Sequence, residues 1–138
     1  MFKNVMVAIA DDEISRAALQ EAVHIASRDG ANLCIVHAVE KGGDDENDKQ
    51  RAGANLLDLA KSSAAVVPGA QTRLLDSEGG FGLNSTAEAI ATAVADWGAD
   101  LLVVGTKGRR GLERLVIGSV AEKLVQTVEI SILLVRVH

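Results

Sequence analysis

Aromatic residues are almost missing from this chain: Phe2, Phe81 and Trp97 are all of them, and tyrosine is absent. That scarcity excludes the stacking platforms that grip single-stranded nucleic acid, and it leaves a core to be built from Val, Ile, Leu and Ala. Cysteine is reduced to Cys34, so no internal disulfide can form, and no Cys/His cluster at metal-ligand spacing is spelled out. Cys34 lies inside the apolar run Leu33–Val39 with nothing beside it to lower its pKa, which suits a small buried hydrophobe rather than a nucleophile. Cations are outnumbered, 14 Lys and Arg against 19 Asp and Glu, for a net charge of −5. This balance argues against a general nucleic-acid or anionic-membrane surface. No apolar run approaches the length of a membrane span, and the opening MFKNVMVAIADD lacks the pattern of a secretory signal. The expectation is a single soluble domain over residues 1–138, cytoplasmic, with no nucleic-acid partner and no membrane insertion.

What is present is a regular alternation. Val5–Ile9 reads as a first buried strand, followed by Asp11-Asp12-Glu13, where an Asp can cap a helix beginning near Glu13. From Ile14 to Arg28 the residues Leu19, Ala22, Val23 and Ala26 share one stripe, and Asp29-Gly30 ends the helix. Leu33–Val39 is a second strand, which makes a right-handed βαβ unit. Lys41 to Lys49 reads as a polar loop, Arg51 to Ala65 as a helix, Pro68-Gly69 as a turn, and Gln71–Leu75 as a short strand. Asp76 to Leu83 reads as a glycine-rich loop, and Ser85-Thr86-Ala87-Glu88 as a capping box starting a helix near Thr86. Leu101–Val104 is a fourth strand, Val120 to Gln126 a last helix with Val120, Leu124 and Val125 at helical spacing, and Ile130–Val137 a fifth strand. Five strands alternating with four helices predict an α/β fold: an open, five-stranded, mainly parallel sheet with helices on both faces.

The connection between the fourth strand and the last helix carries the chemistry. Gly105 ends the strand, Gly108 and Gly111 follow, and Gly118-Ser119 opens the helix, while Lys107, Arg109, Arg110 and Arg114 crowd the same stretch of an acidic protein. Glycines let backbone N–H groups approach closely, and the first helical turn has unpartnered N–H groups with a partial positive charge, an arrangement suited to phosphate. A turn-rich connection with solvated arginines remains the plainer alternative.

The spacing Gly105-x2-Gly108-x9-Gly118-Ser119 resembles the signature of the ATP-binding subgroup of the universal stress protein (UspA) family, and the order of elements resembles that family over nearly the whole chain. The resemblance implies a Rossmann-like fold of the adenine nucleotide alpha hydrolase type, with ligand held at the carboxyl ends of the strands. Those ends are Ala8–Asp12, Ala38–Glu40 and Val104–Gly108. Carried over residue by residue, it implies that Gly105, Gly108, Gly118, Ser119 and Val120 line the phosphates and ribose. Ala38 would offer its backbone to the adenine edge, and Ala8, Ile9 and Ala10 would contact the base. Val104 and Arg109 complete the implied set. The implied cofactor is ATP, and the family's habit of dimerising through its last strand implies a homodimer through Ile130–Val137.

One position departs from the family pattern. V-A-I-A-D-D places Ala10 where the family carries Asp, and alanine accepts no hydrogen bond from base or ribose. Such a lost contact costs about 1 kcal/mol. A one-residue bulge would let Asp11 substitute. Asp11 and Asp12 are alternatively ligands for a phosphate-bound Mg2+ or simple helix-start carboxylates. There is no G-x-x-x-x-G-K-[ST] loop, and His24, His37 and His138 stand in unrelated contexts, so any ATP hydrolysis or autophosphorylation is slow and secondary to binding. His37 is expected to be half-buried and bonded to a neighbour. The function expected is an ATP-binding, dimeric stress-response regulator acting on an unknown protein partner. The alternatives are a nucleotide-independent dimeric scaffold of the same fold and, third, an ATP-using enzyme.

Overall fold

The computed structural model describes residues 1–77, 83–106 and 118–136. Nine elements alternate along it: β1 (Asn4–Ala8), α1 (Glu13–Asp29), β2 (Asn32–Glu40), α2 (Glu46–Ser63), β3 (Gln71–Ser77), α3 (Leu83–Trp97), β4 (Leu101–Gly105), α4 (Ser119–Thr127) and β5 (Ser131–Val135). All five strands are parallel, in the order β3-β2-β1-β4-β5. The chain winds outward from β1 to β3, then returns to lay β4 on the other side of β1. Strand order therefore reverses between β1 and β4.

The sheet divides two cores, as expected for strands apolar on both faces. On one face Val5, Val7, Leu33, Ile35, Leu101 and Val103 pack under α1 and α2. On the other, Met6, Cys34, Val36, Leu102 and Val104 pack under α3 and α4. Alternation of successive residues between the cores is the period-two geometry of a strand. Met6, Cys34 and Leu102 are fully buried, and burial pushes the Cys34 thiol above its ordinary pKa, as suits an inert core residue.

The helices differ from the sequence reading in three places. The acidic cluster before Arg51 is the first turn of α2, which starts at Glu46: Glu46 and Asp48 occupy its positive end, and the Lys49 ammonium sits 3.5 Å from Asp45 and 3.7 Å from Glu40. Ser85-Thr86-Ala87-Glu88 does not act as a capping box, because α3 is already helical from Leu83. A cap residue must be extended, and Ser85 lies within the first turn. Val125 of α4 is exposed; the helix turns Ala121 and Leu124 to the core instead. The glycine-rich stretch 78–82 lies outside the described residues.

β3 and β5 are the two sheet edges. The side chains of β5 divide between the cores, Leu133 and Val135 on one face and Ile132 and Leu134 on the other, and Ile132 to Val135 stay half-buried. No helix among the described residues is long and apolar enough to cross a membrane.

Candidate functional site

The carboxyl end of β1 is locked by a short chain of hydrogen bonds. Ile9 N–H continues the ladder to the Val36 carbonyl at 2.9 Å. The Ile9 carbonyl accepts from His37 Nδ1 at 2.7 Å, which fixes Nδ1 as the protonated nitrogen and, in the neutral ring, leaves Nε2 an acceptor. Ala10 N–H donates to Ser15 Oγ at 2.8 Å, and Ser15 N–H donates to Asp12 Oδ1 at 2.7 Å. Asp12, with extended φ −153 and ψ 168, is the N-cap of α1. The Asp11 carboxylate points into solvent, 3.9 Å from Arg16 Nη1 and 88% exposed.

Beside this turn is a cavity of about 310 Å³, lined by Asp11, His37, Ala38, Lys49, Gly53 and Leu56 among others. Gly53 faces it; a Cβ there would come within 2.8 Å of Leu74 Cδ1 and 3.2 Å of His37 Cδ2, so a larger residue would push those side chains aside. Asp11 borders the cavity with His37 and Ala38, whereas Ala10 lines a neighbouring hollow under α1.

Across the strand-order reversal, Ala8 pairs in register with Val104. Gly105 closes β4, and a Cβ there would collide with Ile14 Cγ2 of α1. Its lack of a side chain is required by packing, whatever is bound nearby. Thr106 follows, 2% exposed, with its N–H donating to the Val135 carbonyl at 2.7 Å. Its buried Oγ1 makes no hydrogen bond among the described residues. Gly118 stands at the N-cap of α4 with φ 91 and ψ 151, a left-handed-side backbone that side chains resist, and among the described residues no side chain caps this helix. Ser119 is exposed and Val120 half-buried.

The structure therefore gathers Ala8, Ile9, Asp11, Ala38, Val104 and Gly105 at one end of three adjacent strands. Because β4 and β5 are parallel, the connection must begin α4 at that same end, with Gly118, Ser119 and Val120. Those three do not line the 310 Å³ cavity. Gly108 and Arg109, with Lys107, Arg110, Gly111 and Arg114, lie outside the described residues. Among the described residues, no group of three His, Cys, Asp or Glu could hold a metal ion. Asp12, one of the two carboxylates that could face Mg2+, is engaged as a helix cap, and Asp11 pairs weakly with Arg16 among the described residues.

Four supporting residues escaped the sequence reading. Ser15 had a visible signal, standing three residues after Asp12 where an N-cap side chain meets an N–H. Gly53 reads only as a helix-weakening glycine, Lys49 as part of a polar loop, and Thr106 as filler between two motif glycines. The neighbours of Gly53 and the Lys49 pair with Glu40 come from other elements, which no local pattern displays.

The profile of the universal stress protein family matches residues 1–136. Among curated proteins, the universal stress protein YxiE of Bacillus subtilis is 30% identical over 154 aligned positions, covering 99% of this chain and all of that protein. Among solved structures, the universal stress protein UspA of Lactobacillus plantarum superposes with a TM-score of 0.79 at 19% identity, covering 97% of both chains. A universal stress protein in complex with cAMP superposes with a TM-score of 0.75 at 22% identity, covering 99% of this chain and 97% of that one.

Proposed function

The chain belongs to the universal stress protein family, and on that premise we propose that it binds an adenine nucleotide, ATP, at the carboxyl ends of β1, β2 and β4 and works as a dimeric stress-response regulator. The observation that carries this reading is the uncapped start of α4. Among the described residues, no side chain accepts from the first N–H groups of that helix, which starts at Gly118 at the sheet end where strand order reverses. Such N–H groups hold phosphate well, and the neighbouring arginines add charge. A family relative bound to cAMP, itself an adenine nucleotide, supports the ligand class.

The residues fit such a ligand. The cavity beside His37 has the volume and the largely apolar wall, Gly53 and Leu56, that an adenine ring needs. Ala38 offers its backbone there, with Ala8 and Ile9 beneath, and Asp11 stands where a ribose hydroxyl can donate to it. Gly105, Gly108, Arg109, Gly118, Ser119 and Val120 form the phosphate side, with Val104 at the strand end between. When bound, the nucleotide supplies a polyanionic tail that Mg2+ can accompany. The chain's part is to hold that tail through backbone N–H groups and so to set the conformation offered to a protein partner. His37 acts as a strut, tying the Ile9 carbonyl to β2, and is not a base. The edge strand β5, apolar on both sides, is the dimer surface.

Native mass spectrometry of the purified protein tests the ligand: an adenylate should be released on denaturation. Gly118→Val crowds the phosphate cradle and strains a backbone at φ 91. Loss of two charge-assisted N–H bonds lowers ATP affinity about a hundredfold by calorimetry. If Gly118→Val binds ATP as the parent does, the site is misplaced. If the parent binds no adenine nucleotide, the scaffold reading replaces this one, and light scattering then decides whether the dimer survives alone.

A further inference from the structure

Where β1 ends, β2 keeps a backbone edge that a regular ladder would have consumed. The Ile9 N–H donates to the Val36 carbonyl at 2.9 Å, so Ile9 stands opposite His37 in the parallel register. In that register the next bonds would run from the Ala38 N–H to the Ile9 carbonyl and from the Asp11 N–H to the Ala38 carbonyl. Neither forms among the described residues. The Ile9 carbonyl accepts instead from His37 Nδ1 at 2.7 Å, and the Ala10 N–H turns away to Ser15 Oγ at 2.8 Å. The chain thus leaves the ladder just after β1 and enters the turn that Asp12 caps.

Ala38 is the residue this exit leaves unpaired. N–H and C=O groups alternate sides along a strand, so those of Ala38 point toward β1, as the Val36 carbonyl does. Ala38 is half-buried and lines the 310 Å³ cavity together with His37. A strand donor and acceptor left side by side at a cavity call for a ligand edge with the complementary pair. The imidazole is what keeps them open, because its Nδ1–H takes the acceptor that the Ala38 N–H would otherwise use.

Given the nucleotide site proposed above, on which this rests, we propose that His37 is the positioning residue for base selection. By satisfying the Ile9 carbonyl, it holds the Ala38 N–H and C=O open for a ring edge that accepts at N1 and donates from a 6-amino group. Adenine carries that edge. Hypoxanthine and guanine carry the reverse, an N1–H and a 6-oxo group, so donor would face donor and acceptor would face acceptor. A site built to pair one such edge rejects the other because its own polar groups are left unpaired.

The test uses the full chain with ATP and with ITP, which carries hypoxanthine. Amide exchange by NMR should find the Ala38 N–H unprotected in the free protein, protected by ATP and not by ITP. Calorimetry should show ATP bound about tenfold or more tightly than ITP, the scale of a lost hydrogen bond. His37→Asn keeps an N–H donor near the place of Nδ1 and should retain both the exchange pattern and the preference. His37→Leu removes the donor and hands the Ile9 carbonyl to the Ala38 N–H. That amide should then be protected without nucleotide, and the ATP-to-ITP preference should fall about tenfold. A merely structural role for His37 would weaken both nucleotides alike and leave their ratio unchanged, which overturns the proposal. So does an Ala38 amide already protected in the free parent, or a His37→Asn variant that behaves like His37→Leu. A parent that binds ATP and ITP equally overturns this inference alone; one that binds neither overturns the nucleotide reading with it. Should His37→Leu not fold, Ala38 exchange in the parent with the two nucleotides decides by itself.

Discussion

Two helices begin at the same end of this sheet, and their first turns are built in opposite ways. α1 satisfies itself: Asp12 caps it by accepting from Ser15 N–H at 2.7 Å, Ser15 Oγ takes the Ala10 N–H, and Ile14 seats against Gly105 of β4. α4 begins at Gly118 with no side-chain cap among the described residues and an exposed Ser119. One helix start is closed by the protein's own carboxylate; the other is the one proposed above to meet an anion from outside. Helix dipole and orphan N–H groups are common to both, so the difference lies in one side chain. A helix N-terminus becomes a candidate binding site when the chain declines to fill it.

Breaking the closed end should have the largest effect on stability. Gly105→Ala drives a methyl into Ile14, an overpacking that costs about 1–3 kcal/mol. Urea unfolding should show it, and adding Ile14→Ala should recover part of the loss. Were Gly105→Ala as stable as the parent, the seating of α1 on β4 would be misjudged. Removing the cap comes next: Asp12→Ala should lose about 1 kcal/mol, with Asp12→Ser retaining most of it. Making the open end resemble the closed one is subtler. Ser119→Glu places a carboxylate in the first turn of α4 and should stabilise that helix by about 0.3–1 kcal/mol, while weakening ATP binding through repulsion of the phosphates. Thermal melts and calorimetry should therefore move in opposite senses.

The far end of α1 offers the smallest effect and a pH signature. Asp29 accepts from Arg28 Nε and from the Phe2 N–H, each at 3.0 Å. First the Arg28 bond and then the Phe2 bond hold its carboxyl below the usual carboxylate range. A carboxylate lowered in the folded state contributes fully above its unfolded pKa, about 3.9, and loses that contribution as pH falls through the lowered folded value. Asp29→Asn should flatten this part of the acid limb of stability and leave the neutral limb parallel to the parent's. An unchanged acid limb would remove Asp29 from the account.

Much of this was legible along the chain. The buried strands announced themselves as short β-branched runs, and Asp12 and Gly30 fulfilled their expected places at the two ends of α1, Gly30 with φ 64. His37 is half-buried and bonded to a neighbour as its isolation suggested. The errors share a cause. The start of α2 was hidden because Glu46 and Asp48 look like loop residues until the positive end of a helix and the Lys49 ion pairs give them a place. Ser85 looked like a cap because the pattern S-x-x-E says nothing of the residues before it, which were already helical. Val125 shared the helical period of Leu124 without sharing its face toward the core.

What the amino-acid order determined by itself is the succession of nine elements and the glycines that punctuate them, because hydrophobic period, caps and turns are local effects spanning a few residues. Only the tertiary structure decided that Asp11 rather than Ala10 borders the cavity beside His37, that Gly105 is demanded by Ile14 of a distant helix, and that Gly53 lies against Leu74 and His37. Each of these depends on which atoms from distant segments come within a few ångströms, and steric exclusion at that range leaves no trace in the spacing of residues along one strand or helix.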